Sequence, residues 1–246
     1  MILGIIPARY ASTRFPGKPL VDLLGKTMIR RVYERASRSK LIKKLVVATD
    51  DRKIFDHVTS FGGHAVMTSG DHASGTERCH EAFQQINEPF DYVINIQGDE
   101  PLVAAEQIDE LAAVLDGKIE LATQIMKLTD PQALFQPSVV KVILNARMEA
   151  LYFSRSAIPH IRNVSHEEWP RHYNFFRHAG MYAYRSDVLE KIVRLPASSL
   201  EKAESLEQLR WLQHGFKIKC IITNFQSLSV DTPEDVAPVI ERLRKE

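Results

Sequence analysis

Ile2-Leu3-Gly4-Ile5-Ile6-Pro7-Ala8-Arg9-Tyr10-Ala11-Ser12-Thr13-Arg14-Phe15-Pro16-Gly17-Lys18-Pro19-Leu20 is the stretch around which the chain is organised. Its apolar opening at 2–6 has the length of a buried strand and is too short for most helices. Pro7 is expected to end regular pairing. The residues that follow set Arg9, Arg14 and Lys18 among Ala8, Ser12, Thr13, Pro16 and Gly17. A buried strand feeding a loop of cations and small residues suits an anion, most simply a polyphosphate. Small residues let the backbone approach closely, and exposed N–H groups in such a loop can form an anion-binding nest. Arginine adds a planar fork of donors, lysine a compact charge. No fixed phosphate motif is matched, so these residues alone equally allow a basic surface loop after an edge strand.

Working outward, the next segments alternate. Apolar residues at helical spacing (Met28, Ile29, Val32, Ala36) predict a helix over 26–39, and Lys44–Thr49 reads as a second buried strand. Asp50 and Asp51 are placed to cap a helix over 52–61, stopped by Gly62-Gly63, before a short strand at 64–67. Ser74-Gly75-Thr76-Glu77 has the form of a capping box and opens a helix through Gln85. The segment 91–97 is a strand, followed by Gly98-Asp99-Glu100-Pro101 and a helix marked by Ile108, Leu111, Ala112 and Leu115. This alternation predicts an α/β fold, a mostly parallel sheet with helices on both faces. The rhythm changes after residue 120. Strands are expected at 120–126, 139–144, 150–153 and 178–185, a hairpin connection at 145–149 and a polar irregular run at 159–175. Helices are expected at 131–135, 201–214 and 232–244, and a strand at 217–223. One domain spanning 1–246 is expected, with a β-rich region at about 130–185 suited to a lid or a dimer contact.

The bulk numbers narrow the function. Lys+Arg 32 against Asp+Glu 31 leaves a formal charge of +1, unlike a general nucleic-acid binder, so any anion site is local. Cys79 and Cys220 form neither a metal-ligand spacing nor a disulfide framework, which fits a reducing compartment. No apolar run reaches the roughly 18–20 residues of a membrane span, and a soluble cytoplasmic protein is expected.

Ligands of open α/β sheets sit beyond the carboxyl ends of the strands. Three polar clusters fall there: 7–18, 49–51 and 97–100. Asp99 suits magnesium, which takes oxygen ligands from one or two carboxylates and from phosphates, though an Asp here also serves as ordinary turn chemistry. Asp231 is a second candidate, although Asp231-Thr232-Pro233-Glu234 is also a good helix start. His160, His166, His172 and His178 recur every six residues, a spacing that shares no helical face. Solvated or core histidines explain them better than a metal cluster.

Seven segments together resemble one family. They are Ile6 to Leu20, Ser74-Gly-Thr-Glu-Arg78, Gln97-Gly-Asp99-Glu-Pro101, Leu151-Tyr-Phe-Ser-Arg155, His178-Ala-Gly-Met-Tyr182, Leu206-Glu207-Gln208-Leu209-Arg210 and Asp231-Thr-Pro-Glu-Asp235. In order and at near-constant separation, they resemble the cytidylyltransferases that activate 3-deoxy-D-manno-octulosonate (Kdo). The resemblance implies a nucleotidyltransferase sheet with a smaller β-rich dimerisation region. It implies transfer of CMP from CTP to Kdo with release of pyrophosphate, on the route to lipopolysaccharide, by a Mg2+-dependent homodimer. It further implies that Ala8, Arg9, Ser12, Lys18, Ser74, Arg78 and Gln97 bind the nucleotide and that Asp99 and Asp231 hold the metal. Lys18, Arg9, Asp99 and Asp231 would carry catalysis. Gln97, Arg155, Arg162, His178, Tyr182, Glu207 and Gln208 would line the sugar pocket. Many relatives have Trp-Asp-Arg where this chain has His160-Ile161-Arg162, which bears on the shape of that pocket. Activation of another acidic sugar (a sialic acid or 8-amino-Kdo) and a nucleotide-binding module without turnover are the alternatives.

Overall fold

Strand β1, Ile2–Ala8, is buried on both faces: Leu3 and Ile5 point one way, Ile6 the other, and all are fully covered. A computed structural model describes residues 1–11, 14–226 and 228–246, and divides the chain into two units, 1–114 with 225–246, and 115–224. In the first unit, β1 is followed by α1 (Met28–Ala36), β2 (Lys44–Thr49), α2 (Arg52–Ser60), β3 (Ala65–Met67), α3 (Gly75–Ile86), β4 (Tyr92–Asn95) and α4 (Ala105–Ala113). The strands lie in the order β3-β2-β1-β4, and every pairing among them is parallel. The α/β expectation holds.

Pro7 does not end the pairing. β1 continues to Ala8, with Pro7 opposite Ala48 and Ala8 opposite Thr49. On the other side, the pairing with β4 stops at Ile5 opposite Asn95, the Ile5 carbonyl accepting from Ile96 N. Pro7 has the same orientation as Ile5, two residues earlier, so its missing N–H faces the side that β4 has already left. Local chemistry sets the helix starts. Asp51 accepts from the N–H groups of Lys53 and Ile54, Ser74 from Glu77 N, and Thr27 from Arg30 N. The Glu77 carboxylate accepts from Ala73 N rather than from the cap residue itself.

The C-terminal segment belongs to this unit. Its helix, Val236–Leu243, is preceded by a single 3-10 turn at Pro233–Asp235. Leu23, Met28, Leu102, Val230 and Val239 form one buried cluster, against which Phe15, Val21, Val236, Ile240 and Leu243 pack. That cluster seats the chain end against the segment that follows β1.

The second unit holds β5 (Leu121–Leu128), α5 (Pro131–Leu134), β6 (Lys141–Leu144), β7 (Ala150–Ser154), α6 (Trp169–His172), β8 (Phe175–Arg185), α7 (Ser186–Ile192), α8 (Ser199–Glu204), α9 (Gln208–Gln213) and β9 (Ile218–Ile222). β5 pairs antiparallel with β8 and parallel with β9; β6 pairs antiparallel with β7 and β8. Asn145 makes the β6–β7 hairpin without an Asn-Gly turn, its side-chain oxygen accepting from Arg147 N and Glu149 N. The single helix expected over 201–214 is two helices. Ser205 adopts a left-handed conformation (φ 52) that ends α8, and Arg210 reaches back across the break to Glu201, with bonds of 2.7 and 2.5 Å. α7 lies in a stretch with no helix expected. The segment expected to be β-rich at about 130–185 falls inside this unit.

Candidate active site

The first unit carries a cleft of about 340 Å³ at the carboxyl ends of β1 and β4. Its walls include Ala8, Arg9, Arg14, Lys18, Ser74, Arg78, Gln97, Gly98, Asp99 and Asp231. Lys18 is the centre of its charge. The Nζ donates to Asp99 Oδ2 at 2.9 Å and lies 3.5 Å from Asp231 Oδ1. Two carboxylates 132 positions apart in sequence are thus gathered by one ammonium group. Lys18 is 14% exposed, Asp99 30% and Asp231 43%, so the group is sheltered without being sealed.

Backbone geometry makes the meeting possible. Gly98 passes so close to β1 that a Cβ there would stand 2.6 Å from the Pro7 carbonyl oxygen. Val230 N donates to the Asp99 carbonyl at 2.9 Å, which ties the segment before the C-terminal helix to the turn after β4. Neither carboxylate is consumed as a helix cap. The capping is done by Thr232 and Asp235 as a reciprocal box, the Asp235 carboxylate accepting from the N–H groups of Asp231 and Thr232 and from the Thr232 hydroxyl. Arg14 donates to Asp231 Oδ1 at 3.0 Å. Arg9 is exposed and, among the described residues, makes no hydrogen bond or ion pair. Ser12 lies outside the described residues.

Arg78 differs from the other cations. Its side chain is 4% exposed; Nη2 donates to Asp50 at 3.0 Å, and Nη1 to the Thr68 hydroxyl and the Ser69 carbonyl. It braces the 68–74 loop from beneath the cleft. Gln85 bonds Met67, Glu81 bonds Ser69 N and His72, and Glu77 bonds Ala73, so one face of α3 holds the whole loop. Asp50, Thr68 and His72 were not among the expected site residues. Only Asp50 carried a signal, as part of the polar cluster ending β2.

Cation chemistry fits the Lys18 pair. An ammonium group already sits between Asp99 and Asp231, so the two carboxylates converge on a positive charge. Among the described residues no group of three or more His, Cys, Asp or Glu could hold a metal alone. Magnesium bound here would complete its shell with phosphate oxygens and water, which is its usual habit.

The expected sugar residues lie in the second unit, apart from Gln97. Between Thr123 and Ile125 on β5, the register on β8 moves from Tyr182 to His178. Ala179, Gly180 and Met181 therefore bulge, with Gly180 at φ 76. Residues four apart on a regular strand stand about 13 Å apart. Here the rings of His178 and Tyr182 are 5.1 Å apart, with Phe153 5.3 Å from His178 and Trp211 5.2 Å from Tyr182. Burial pushes the His178 pKa down to about 4, so the ring is neutral near neutrality. Burial also raises the Tyr182 phenol well above its ordinary range, helped by Tyr184, Cys220 and the Glu207 carboxylate. The Tyr182 hydroxyl is buried, and the Thr123 hydroxyl beside it works against that rise. Gln208 is buried at the start of α9, beside Glu207.

The two arginines have different situations. Arg155 donates from Nε to the Glu204 carbonyl, from Nη1 to the Pro137 carbonyl and from Nη2 to the Ser205 carbonyl. Its carbonyl in turn accepts from the buried Lys141. Arg162 is exposed and has no partner among the described residues. Ile161 packs on the Leu128, Leu134, Trp169 and Phe175 cluster, and His160 meets the Trp169 ring edge-on at 5.1 Å. His166 also flanks Trp169, His178 stands in a different cluster, and the six-residue histidine spacing assembles no common centre.

Comparison with known proteins agrees with this geometry. A family model described as Cytidylyltransferase matches residues 3–218. A 3-deoxy-manno-octulosonate cytidylyltransferase of Cytophaga hutchinsonii is 51% identical over 239 residues, covering 97% of this chain and 96% of that protein. One from Bacteroides thetaiotaomicron is 49% identical over 249 residues, covering 98% of each. A solved CMP:2-keto-3-deoxy-manno-octonic acid synthetase, complexed with CTP, superposes with a TM-score of 0.92 at 40% identity, covering 99% of this chain and 98% of that one. With the two-carboxylate cleft in place and identity at this level along nearly its whole length, the chain belongs to the 3-deoxy-manno-octulosonate cytidylyltransferase family.

Proposed function

We propose that the chain transfers CMP from CTP to Kdo, releasing pyrophosphate. The observation that carries this reading is the convergence of Asp99 and Asp231 on Lys18 at the mouth of the β1 loop. The anomeric hydroxyl of Kdo attacks the α-phosphorus of CTP while pyrophosphate departs opposite to it. Negative charge then grows on phosphate oxygens. Lys18, held beforehand between Asp99 and Asp231, and Arg9, with its guanidinium uncommitted at the strand end, stabilise that charge more than they stabilise bound substrate. Ala8, Ser74 and Gln97 shape the nucleotide site, and Arg78 acts by holding the loop that precedes Ser74.

Mg2+ held by Asp99 and Asp231 would neutralise phosphate charge and lower the pKa of the attacking hydroxyl, which removes the need for a protein base. Once phosphates arrive, Lys18 has a second set of oxygens to bind, which frees its two carboxylates for that ion. Arg162, with its guanidinium uncommitted, is the better placed arginine for a bidentate pair with the sugar carboxylate. Arg155 keeps the 154–159 loop and the α8–α9 junction together, while Glu207 and Gln208 face sugar hydroxyls.

A homodimer is part of the same reading, supported by Leu151 on β7 and Ile222 on β9, which are 57% and 51% exposed although strongly apolar. Among the described residues no helix is long and apolar enough to cross a membrane, and two buried free cysteines suit a reducing cytoplasm.

The test is pyrophosphate release from CTP with Mg2+ and a panel of acidic sugars, Kdo, 8-amino-Kdo and a sialic acid. Turnover with Kdo is expected to exceed that with the others. Asp99→Ala and Asp231→Ala should each lower it by at least about 10²-fold, the scale of one lost preorganised electrostatic element. No Kdo-dependent pyrophosphate would end the proposal, and near-normal turnover in either variant would end the metal assignment.

A further inference from the structure

The bulge in β8 leaves one polar side chain to be accounted for. Thr123 is fully buried on β5, opposite the point where β8 departs from regular pairing, and it is not a residue for which a role was expected. Its hydroxyl lies 2.7 Å from the Met181 carbonyl oxygen and 3.0 Å from Nε2 of His178. A hydroxyl has one proton to give. A carbonyl oxygen can only accept, so the Thr123 proton goes to Met181. The contact with His178 must then run the other way, with the ring donating.

We infer that Thr123 is a positioning residue that fixes His178 as the Nε2–H imidazole, leaving Nδ1 as a hydrogen-bond acceptor that reads a hydroxyl of the acidic sugar and not its carboxylate. This rests on the reading of His178 as part of the sugar site. Among the described residues Nδ1 has no hydrogen-bond partner. A lone pair there accepts from an O–H group and repels a carboxylate oxygen, which brings no proton of its own. A cationic or Nδ1–H ring would have the opposite preference. The selection among these forms is made by the bulge: without the extra residues at 179–181, the Met181 carbonyl would be in the ladder and the Thr123 proton free to turn to the ring. The low pKa that burial confers on His178 works in the same direction, because it removes the cationic form.

The experiment combines a direct measurement of the ring with a split of kinetic constants. Two-bond proton–nitrogen NMR on the intact protein, labelled with 15N-histidine and assigned through His178→Ala, reads the tautomer. A protonated Nε2 with an unprotonated Nδ1 is expected. Thr123→Val, which keeps shape and loses the hydroxyl, should shift that balance and raise KM for Kdo by up to about tenfold, the range of one hydrogen bond. KM for CTP should stay in place. Thr123→Ser, which restores the hydroxyl, should return both readings. An Nδ1–H ring in the unmodified protein overturns the inference even if Thr123→Val fails to fold. So does an unchanged Kdo KM in Thr123→Val when His178→Ala raises it. If both substitutions leave that KM unchanged, the placing of the sugar at His178 is itself wrong and the inference falls with it.

Discussion

At the scale of the residue, the charges that matter are distinguished by what their neighbours leave free. Lys18, Arg9, Arg78, Arg155 and Arg162 are all cations that a sequence reader would assign to anionic ligands. The hydrogen bonds separate them. Arg78 is committed to Asp50 and Thr68, Arg155 to three carbonyls, while Arg9 and Arg162 have no partner among the described residues. His178 gives a prediction at this scale. Its pKa is depressed from 6.5 to about 4 by burial. As the pH falls, the unfolded chain binds the proton first, so this stabilising contribution is complete above about pH 6.5 and lost progressively down to about 4. Urea unfolding at about pH 7.5 and about pH 5 should therefore show a drop in stability that is smaller in His178→Asn. An equal drop in both proteins would mean that the ring titrates normally.

At the scale of the element, the strand ends do the positioning. The passage from β4 into Gly98-Asp99 presses on Pro7, and only a residue without a side chain fits 2.6 Å from that carbonyl oxygen. Gly98→Ala should push the turn away from β1 and carry Asp99 with it. A shift near 1 Å at such a group costs on the order of 10²-fold in turnover. The loss should appear in kcat/KM with CTP and Kdo, in a protein whose circular dichroism is unchanged. The β8 bulge has the same role in the second unit. Gly180, at φ 76, occupies the left-handed region, where a side chain costs about 1–2 kcal/mol. Gly180→Ala is expected to lower stability by that amount in urea unfolding and to raise KM for Kdo. If neither changes, the bulge does not depend on glycine.

At the scale of the whole molecule, each unit has its own chemistry. The first gathers Arg9, Arg14, Lys18 and both carboxylates in one cleft; the second gathers His178, Tyr182 and Trp211 of α9 in an aromatic cluster. CTP with Mg2+ should therefore stabilise the protein without any sugar. By mass action the gain is about 2.7 kcal/mol at a hundredfold excess over Kd. Thermal unfolding should show the rise in Tm in the unmodified protein and a much smaller one in Lys18→Ala, whereas equal shifts would place the phosphates elsewhere.

The chain by itself determined the alternation of strands and helices in the first unit, the caps at Asp51 and Ser74, and the polar clusters at the ends of β1, β2 and β4. All of these follow from periodicity and from contacts within a few residues. It also named Asp99 and Asp231. It could not reveal that Pro7 continues its strand, that Ser205 breaks a helix whose apolar spacing runs through it, or that Thr123 faces His178. Those outcomes depend on where a neighbouring strand stops, which carbonyl a distant arginine reaches and where a ladder slips. They are contacts between segments far apart in the chain, decided only when the core packs and a hydrogen bond from Val230 to Asp99 closes the cleft.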